Sequence, residues 1–114
     1  MKKMDKKVDN ALRGALTEVC ELAIDEVSGF EWLTHFSNYR DFPASLLVVC
    51  VFSTKDELVN AQNTQQDDYL RELIHDKLSA ANIQIKDIRQ HVKFDTEEAC
   101  EKEHAGKWNE RFRR

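Results

Sequence analysis

Seven consecutive apolar residues, Leu46 to Phe52, stand out from a chain whose apolar and polar positions otherwise alternate with regular periods. Val48, Val49 and Val51 branch at Cβ, which crowds a helix and suits a pleated sheet. The run is far shorter than the roughly 20 apolar residues that span a bilayer. It carries no polar alternation, so the strand it predicts, Ala44–Phe52, needs protein on both faces. Before it, Val8, Leu12, Leu16, Val19, Ala23 and Val27 recur at three- and four-residue steps, with Ala11, Ala15, Cys20 and Leu22 widening the stripe. That spacing predicts an amphipathic helix over residues 5–27, stopped at Ser28-Gly29. Phe30, Trp32, Thr34 and Phe36 then alternate with Glu31, Leu33, His35 and Ser37, the period of a strand. A turn over residues 37–41 makes this strand, Phe30–Ser37, the antiparallel partner of the apolar one, with an irregular segment over 30–37 as the alternative.

After the core strand, Thr54-Lys55-Asp56-Glu57 has the spacing of a capping box and opens a helix. The polar string from Asn60 to Asp68, broken only by Ala61, holds no core anchor and predicts a break near Asn63-Thr64. A single helix over 54–81 is the alternative. The next helix, about Gln66 to Ala81, buries Tyr69, Leu70, Leu73, Ile74, Lys77, Leu78 and Ala81, with Asn82 as a left-handed cap. Ile83, Ile85 and Ile88 lead to a third strand near His91–Phe94. Asp95-Thr96-Glu97-Glu98 places acids at the start of a last helix that ends about Ala105-Gly106. The expected fold is α+β, a small single-domain sandwich of order α-β-β-α-α-β-α. Its three-stranded sheet, mixed or antiparallel, is packed by helices, and its basic ends, about 1–7 and 107–114, are candidates for flexible tails.

The 114 residues suffice for one core. The formal net charge is −4, yet residues 1–13 carry +3 and residues 107–114 another +3, leaving −10 for the body. An acidic body repels a phosphate backbone, while the short basic ends are able to touch one. MKKMDKKVDN has no apolar segment of a secretory signal behind its basic start. Cys20, Cys50 and Cys100 are odd in number and widely spaced, which favours free thiols and a reducing, cytoplasmic setting.

Candidate chemistry is sparse. Cys100 and His104 share a helix face, and His91 precedes them, so these three are the weak candidates for a metal site; zinc needs four protein ligands, or three and water. As a nucleophile Cys100 is disfavoured by Glu97, Glu98, Glu101 and Glu103, which oppose formation of a thiolate. Cys20, Cys50 and His35 read as packing residues. No glycine-rich phosphate loop, nucleophile elbow or paired-carboxylate motif is present, so neither catalytic residues nor a cofactor are expected. The tail KWNERFRR interleaves Trp108 and Phe112 with arginines. Lys107, Trp108, Arg111, Phe112, Arg113 and Arg114 are therefore the candidate binding residues, suited to a protein hot spot or to nucleic acid. The competing expectation is that Trp108 folds back onto the core and the arginines are solvated.

Two resemblances bear on these expectations. The order helix–strand–strand–helix–helix–strand over residues 5–94 resembles type II KH domains, which implies binding of single-stranded nucleic acid. The position of that family's GxxG clamp holds Asn63-Thr64-Gln65-Gln66 here, followed by Asp67 and Asp68. Through ALTEVCE, GFEWLTH, FPASLLVVCVF and FDTEEACE, the chain also resembles a set of small uncharacterised bacterial proteins often labelled Fis family transcriptional regulators. That label implies a C-terminal helix-turn-helix and dimeric DNA binding, whereas the C-terminal residues themselves read as a strand, an acidic helix and a short tail. The function expected from the residues is a non-catalytic cytoplasmic interaction domain that makes protein contacts, without a membrane role and with homo-oligomers open to it. A nucleic-acid-associated regulator using the basic ends is the alternative, and a thiol- or metal-dependent enzyme is the third reading.

Overall fold

The computed structural model describes the backbone of residues 3–113 and the side chains of residues 6–38 and 40–113. Helix α1 (Lys3–Glu26) leads into strand β1 (Phe30–Phe36), and a short 3-10 turn (Tyr39–Asp41) leads to β2 (Leu47–Phe52). Helices α2 (Lys55–Asn63) and α3 (Gln66–Ala80) follow, then a second 3-10 turn (Ile88–Gln90), β3 (Val92–Thr96), α4 (Glu97–His104) and a single-turn helix α5 (Trp108–Arg111). At roughly 1.5 Å per residue, the 24 residues of α1 account for most of the longest molecular dimension, 41 Å. No helix among the described residues is long and apolar enough to cross a membrane.

The sheet order is β1-β2-β3, antiparallel between β1 and β2 and parallel between β2 and β3. The sheet is therefore mixed, and the valine-rich strand lies at its centre. Every residue of β2 is buried except Leu47, which is half-buried. Removing each of these large side chains from water contributes roughly 1.5–3 kcal/mol. Val48, Cys50 and Phe52 face α1 and α3 and join Leu12, Val19, Leu70, Ile74 and Leu78 in the main core. Alternation sends Leu47, Val49 and Val51 to the opposite face. The predicted stripe is buried at Leu12, Leu16, Val19 and Ala23 on α1 and at Val27 just after it, but Leu22 is 37% exposed and falls outside it.

Local chemistry explains the boundaries. The Thr54 hydroxyl accepts from Glu57 N–H at 3.1 Å and caps α2. The helices separate where expected: Gln65 takes φ 63°, and the Thr64 hydroxyl donates to Asn60 O at 2.9 Å. Asn82 likewise takes φ 63° after α3. β2 starts three residues later than the apolar pattern suggests. Ser45 N–H bonds to Asp41 O, Leu46 N–H bonds to Pro43 O, and the Ser45 hydroxyl bonds to Asn38, so residues 43–46 curl before extending. β3 begins and ends later than the predicted His91–Phe94. Asp87 caps the turn before it by accepting from Arg89 N–H, and pairing with β2 continues to Thr96, whose hydroxyl then caps α4.

Gly29 reverses the chain between α1 and β1 at φ +85°, and a Cβ there would overlap the side chain of Glu57. Gly29→Ala is expected to lower stability by about 1–2 kcal/mol, because an L residue is strained in this conformation. Urea denaturation followed by circular dichroism measures it, and an unchanged midpoint would contradict the assignment.

Candidate interaction surface

The register fixes which side chains share the second face of the sheet. Trp32 pairs with Val51, Thr34 with Val49 and Phe36 with Leu47, while Lys93 pairs with Val49 and Asp95 with Val51. The segment that covers this face is the one the sequence singles out as a binding tail. Gly106 takes φ +77° after α4 and turns the chain back across the sheet. Lys107 O accepts from Glu110 and Arg111 N–H to wind α5. Trp108 and Phe112, four residues apart, then share the face of α5 turned toward β1.

Trp108 meets Trp32 edge-on with ring centroids 4.8 Å apart, and Phe112 meets Phe36 at 5.1 Å. Such pairs add roughly 0.5–1.5 kcal/mol each beyond area burial. Glu97, at the start of α4, accepts hydrogen bonds from the indole N–H of both Trp32 and Trp108. Arg111 grips Asp95 in a fork, Nε to Oδ2 at 2.6 Å and Nη2 to Oδ1 at 2.8 Å, and reaches Glu103 Oε2 with Nη1 at 2.8 Å. The side chains of Arg111 and Asp95 are only 16% and 17% exposed, so this pair is shielded from solvent and salt. The two carboxylates push the Arg111 pKa further up, and the hydrogen bond from Arg111 holds the Glu103 carboxyl below its usual value.

Of the candidate binding residues, then, Trp108, Arg111 and Phe112 are engaged by the sheet and by α4. Lys107 and Arg113 are exposed, and Arg114 lies outside the described residues, as do Lys2 and the side chain of Lys3 at the other basic end. An open groove of about 550 Å³ remains beside α5, with Phe36, Leu47, Val49 and Phe112 among its lining residues and Lys93 and Arg113 at its rim. Neither rim cation is in an ion pair among the described residues. The groove was not foreseen from the sequence. Its signal was the alternation of Lys93 and Asp95 on β3, which becomes readable only once β3 is known to lie parallel to β2.

The metal and thiol candidates are dispersed. His91 lies just before β3 and donates from Nδ1 to Leu46 O, 2.7 Å away, whereas Cys100 and His104 follow the far end of that strand, about 16 Å along it. His104 Nδ1 accepts from Arg111 Nη1 at 3.2 Å. Cys100 is buried, and burial raises its pKa against the opposing pull of Arg111. Cys50 is pushed up to about 12 by burial, with Cys20 adding to the effect. All three cysteines are free. His35 is half-buried, and burial lowers its pKa while Asp9 opposes the shift. Among the described residues no group of three or more His, Cys, Asp or Glu side chains is placed to hold a metal ion.

At the α2–α3 connection Gln65 holds the left-handed position, and Arg71 is bound by both Asp67 and Asp68 at 3.1 and 2.9 Å. Comparison with known proteins gives no match to any family model, curated protein or solved structure.

Arg111→Met is expected to cost about 2–3 kcal/mol at neutral pH, since it leaves Asp95 enclosed without its partner. The contribution of Glu103 is present above the carboxyl's unfolded pKa and disappears as pH falls through its lowered folded value. The gap between parent and variant therefore narrows below about pH 4. Urea titrations at several pH values read this, and a gap independent of pH would contradict it.

Proposed function

We propose that the chain is a non-catalytic interaction domain that docks an acidic peptide bearing apolar anchors in the groove beside α5. The observation that carries this reading is the groove's mixed lining, in which Phe36, Leu47, Val49 and Phe112 stand beside Ser45 and Gln90 and the exposed cations Lys93 and Arg113. Apolar pockets fix the side chains of a bound segment, and unpaired cations at a rim favour an acidic one. Among the described residues, the acid that lines the groove, Asp95, is already held by Arg111. Three free thiols agree with a reducing, cytoplasmic setting.

Other features support this reading over the alternatives. A thiol enzyme needs an accessible thiolate beside a base, and Cys100 is buried with a raised pKa while His104 is occupied by Arg111. A nucleic-acid regulator loses Arg111 to Asp95 and Glu103. Helix α4 carries Glu98, Glu101 and Glu103 on its exposed surface, and these repel a phosphate backbone.

The test is binding of a short peptide alternating Leu and Glu, against its Leu/Lys counterpart, followed by amide chemical shifts. The acidic peptide is expected to perturb Leu47, Val49, Lys93 and Phe112, and the basic one to leave them unmoved. Lys93→Glu with Arg113→Glu should weaken the acidic peptide by about tenfold or more. Equal response to both peptides, or none to either, would contradict the reading.

A further inference from the structure

The outer edge of β1 is a second surface, distinct from the groove although Phe36 borders both. β1 has β2 on one side only. Val48 N–H bonds to His91 O on the β3 side, while Ser53 N–H bonds to Gly29 O on the β1 side. Leu47, Val49 and Val51 therefore direct their backbone groups toward β1, and their partners Phe36, Thr34 and Trp32 return them. The N–H and C=O of Leu33 and His35 are left pointing away from the sheet. Neither residue has a backbone bond to another segment among the described residues. Such an edge is a template for strand addition.

Helix α1 runs beside this edge in the opposite direction, since Gly29 reverses the chain and Phe30 N–H bonds back to Val27 O. An open groove of about 420 Å³ lies between them, bordered on α1 by Arg13, Thr17, Cys20, Glu21 and Ile24 and on β1 by Leu33, Thr34 and His35. Ile24 is 55% exposed, the most of any large hydrophobic residue among the described ones. Arg13 lies at the His35 end together with Asp9, the two acting on that imidazole in opposite senses, and Glu21 lies two helical turns along toward the Leu33 end. The groove thus has an exposed guanidinium, shared with Asp9, at one end and a carboxylate at the other. A Glu31 bulge disturbs the register at the start of β1, leaving Trp32–Phe36 regular.

We propose that this edge is a self-association face: a second copy of the chain adds its β1 antiparallel to this one, about a two-fold axis through Thr34. In that register Thr34 stands opposite itself, Leu33 opposite the partner's His35, and Trp32 opposite the partner's Phe36. Each Leu33–His35 pair exchanges the backbone hydrogen bonds now left outward, joining the two sheets into one. The same axis carries the Arg13 end of each α1 groove to the Glu21 end of the other. Arg13 then meets the partner's Glu21, twice by symmetry, and each Ile24 is covered. This charge complementarity selects a second copy over an unrelated strand, because an isologous contact requires a surface that complements itself. Arg13 already bonds Asp9 at 2.8 Å, but its side chain is 70% exposed and has donors to spare.

The test is sedimentation velocity over loading concentrations from micromolar to millimolar, with hydrogen exchange at both ends of the range. The mass is expected to rise from 13.3 kDa toward twice that value. The Leu33 and His35 amides should gain protection as it rises. Arg13→Glu and Glu21→Arg should each weaken association about tenfold, and the double variant should return to within about twofold of the parent. A mass of 13.3 kDa at every concentration would overturn the proposal. So would a dimer indifferent to both charge reversals, or one that leaves the Leu33 and His35 amides unprotected. Phe36 borders both surfaces, so the peptide reading is judged separately at Leu47, Lys93 and Arg113, which take no part in the β1 pairing.

Discussion

β2 runs through the middle of a three-stranded sheet with apolar side chains on both faces, and each face must be kept from water. Helices α1 and α3 meet this requirement on one side, with Leu12, Val19, Leu70, Ile74 and Leu78 against Val48, Cys50 and Phe52. On the other side the cover over the β1 half of the sheet comes from α5 and its aromatic residues. A segment whose composition suits an exposed binding tail is thereby drawn inward, and Arg111 follows it into a shielded ion pair with Asp95.

Several interactions hold the segment in this arrangement. Burial of the Trp108 and Phe112 rings, their edge-on contacts with Trp32 and Phe36, and the forked charge-assisted pair of Arg111 with Asp95 act together against the ordering entropy of the segment. Glu97 adds acceptors for both indole donors, which would otherwise lose hydration as the rings pack. The cover is incomplete over Leu47 and Lys93, and the open groove is the part of the face that α5 does not reach.

Most of the fold was legible in the sequence, because its signals were local. The stripe of α1, the stop at Gly29, the Thr54 cap, the break before Gln66 and the cap at Asn82 each depend on residues within a turn or two. The capping box was legible only in half: the Thr54 hydroxyl holds Glu57 N–H, while the Glu57 side chain lies over Gly29 instead. The starts of β2 and β3 were displaced by the Ser45–Asn38 bonds and the Asp87 cap, side-chain contacts that hydropathy does not register. Placement of the tail was harder. Aromatic residues interleaved with arginine suit an exposed hot spot, while the usual behaviour of chain ends favours a Trp108 folded back under solvated arginines. Trp108 does fold back, but Arg111 is held by Asp95. The deciding clue was long-range: Trp32 and Phe36 alternate onto the same face as Val49 and Val51, and 107–113 was the remaining unassigned amphipathic segment able to cover them.

The central claim is that β2 is enclosed on both faces and that residues 107–113 supply part of the enclosure. Native-state hydrogen exchange of β2 in the whole chain and in a chain ending at Gly106 tests it most directly. In the whole chain the β2 amides should exchange only through global unfolding, as the slowest in the molecule. In the shortened chain their protection should fall together with the overall stability. Rapid exchange of β2 in the whole chain, or identical protection in both, would contradict the account.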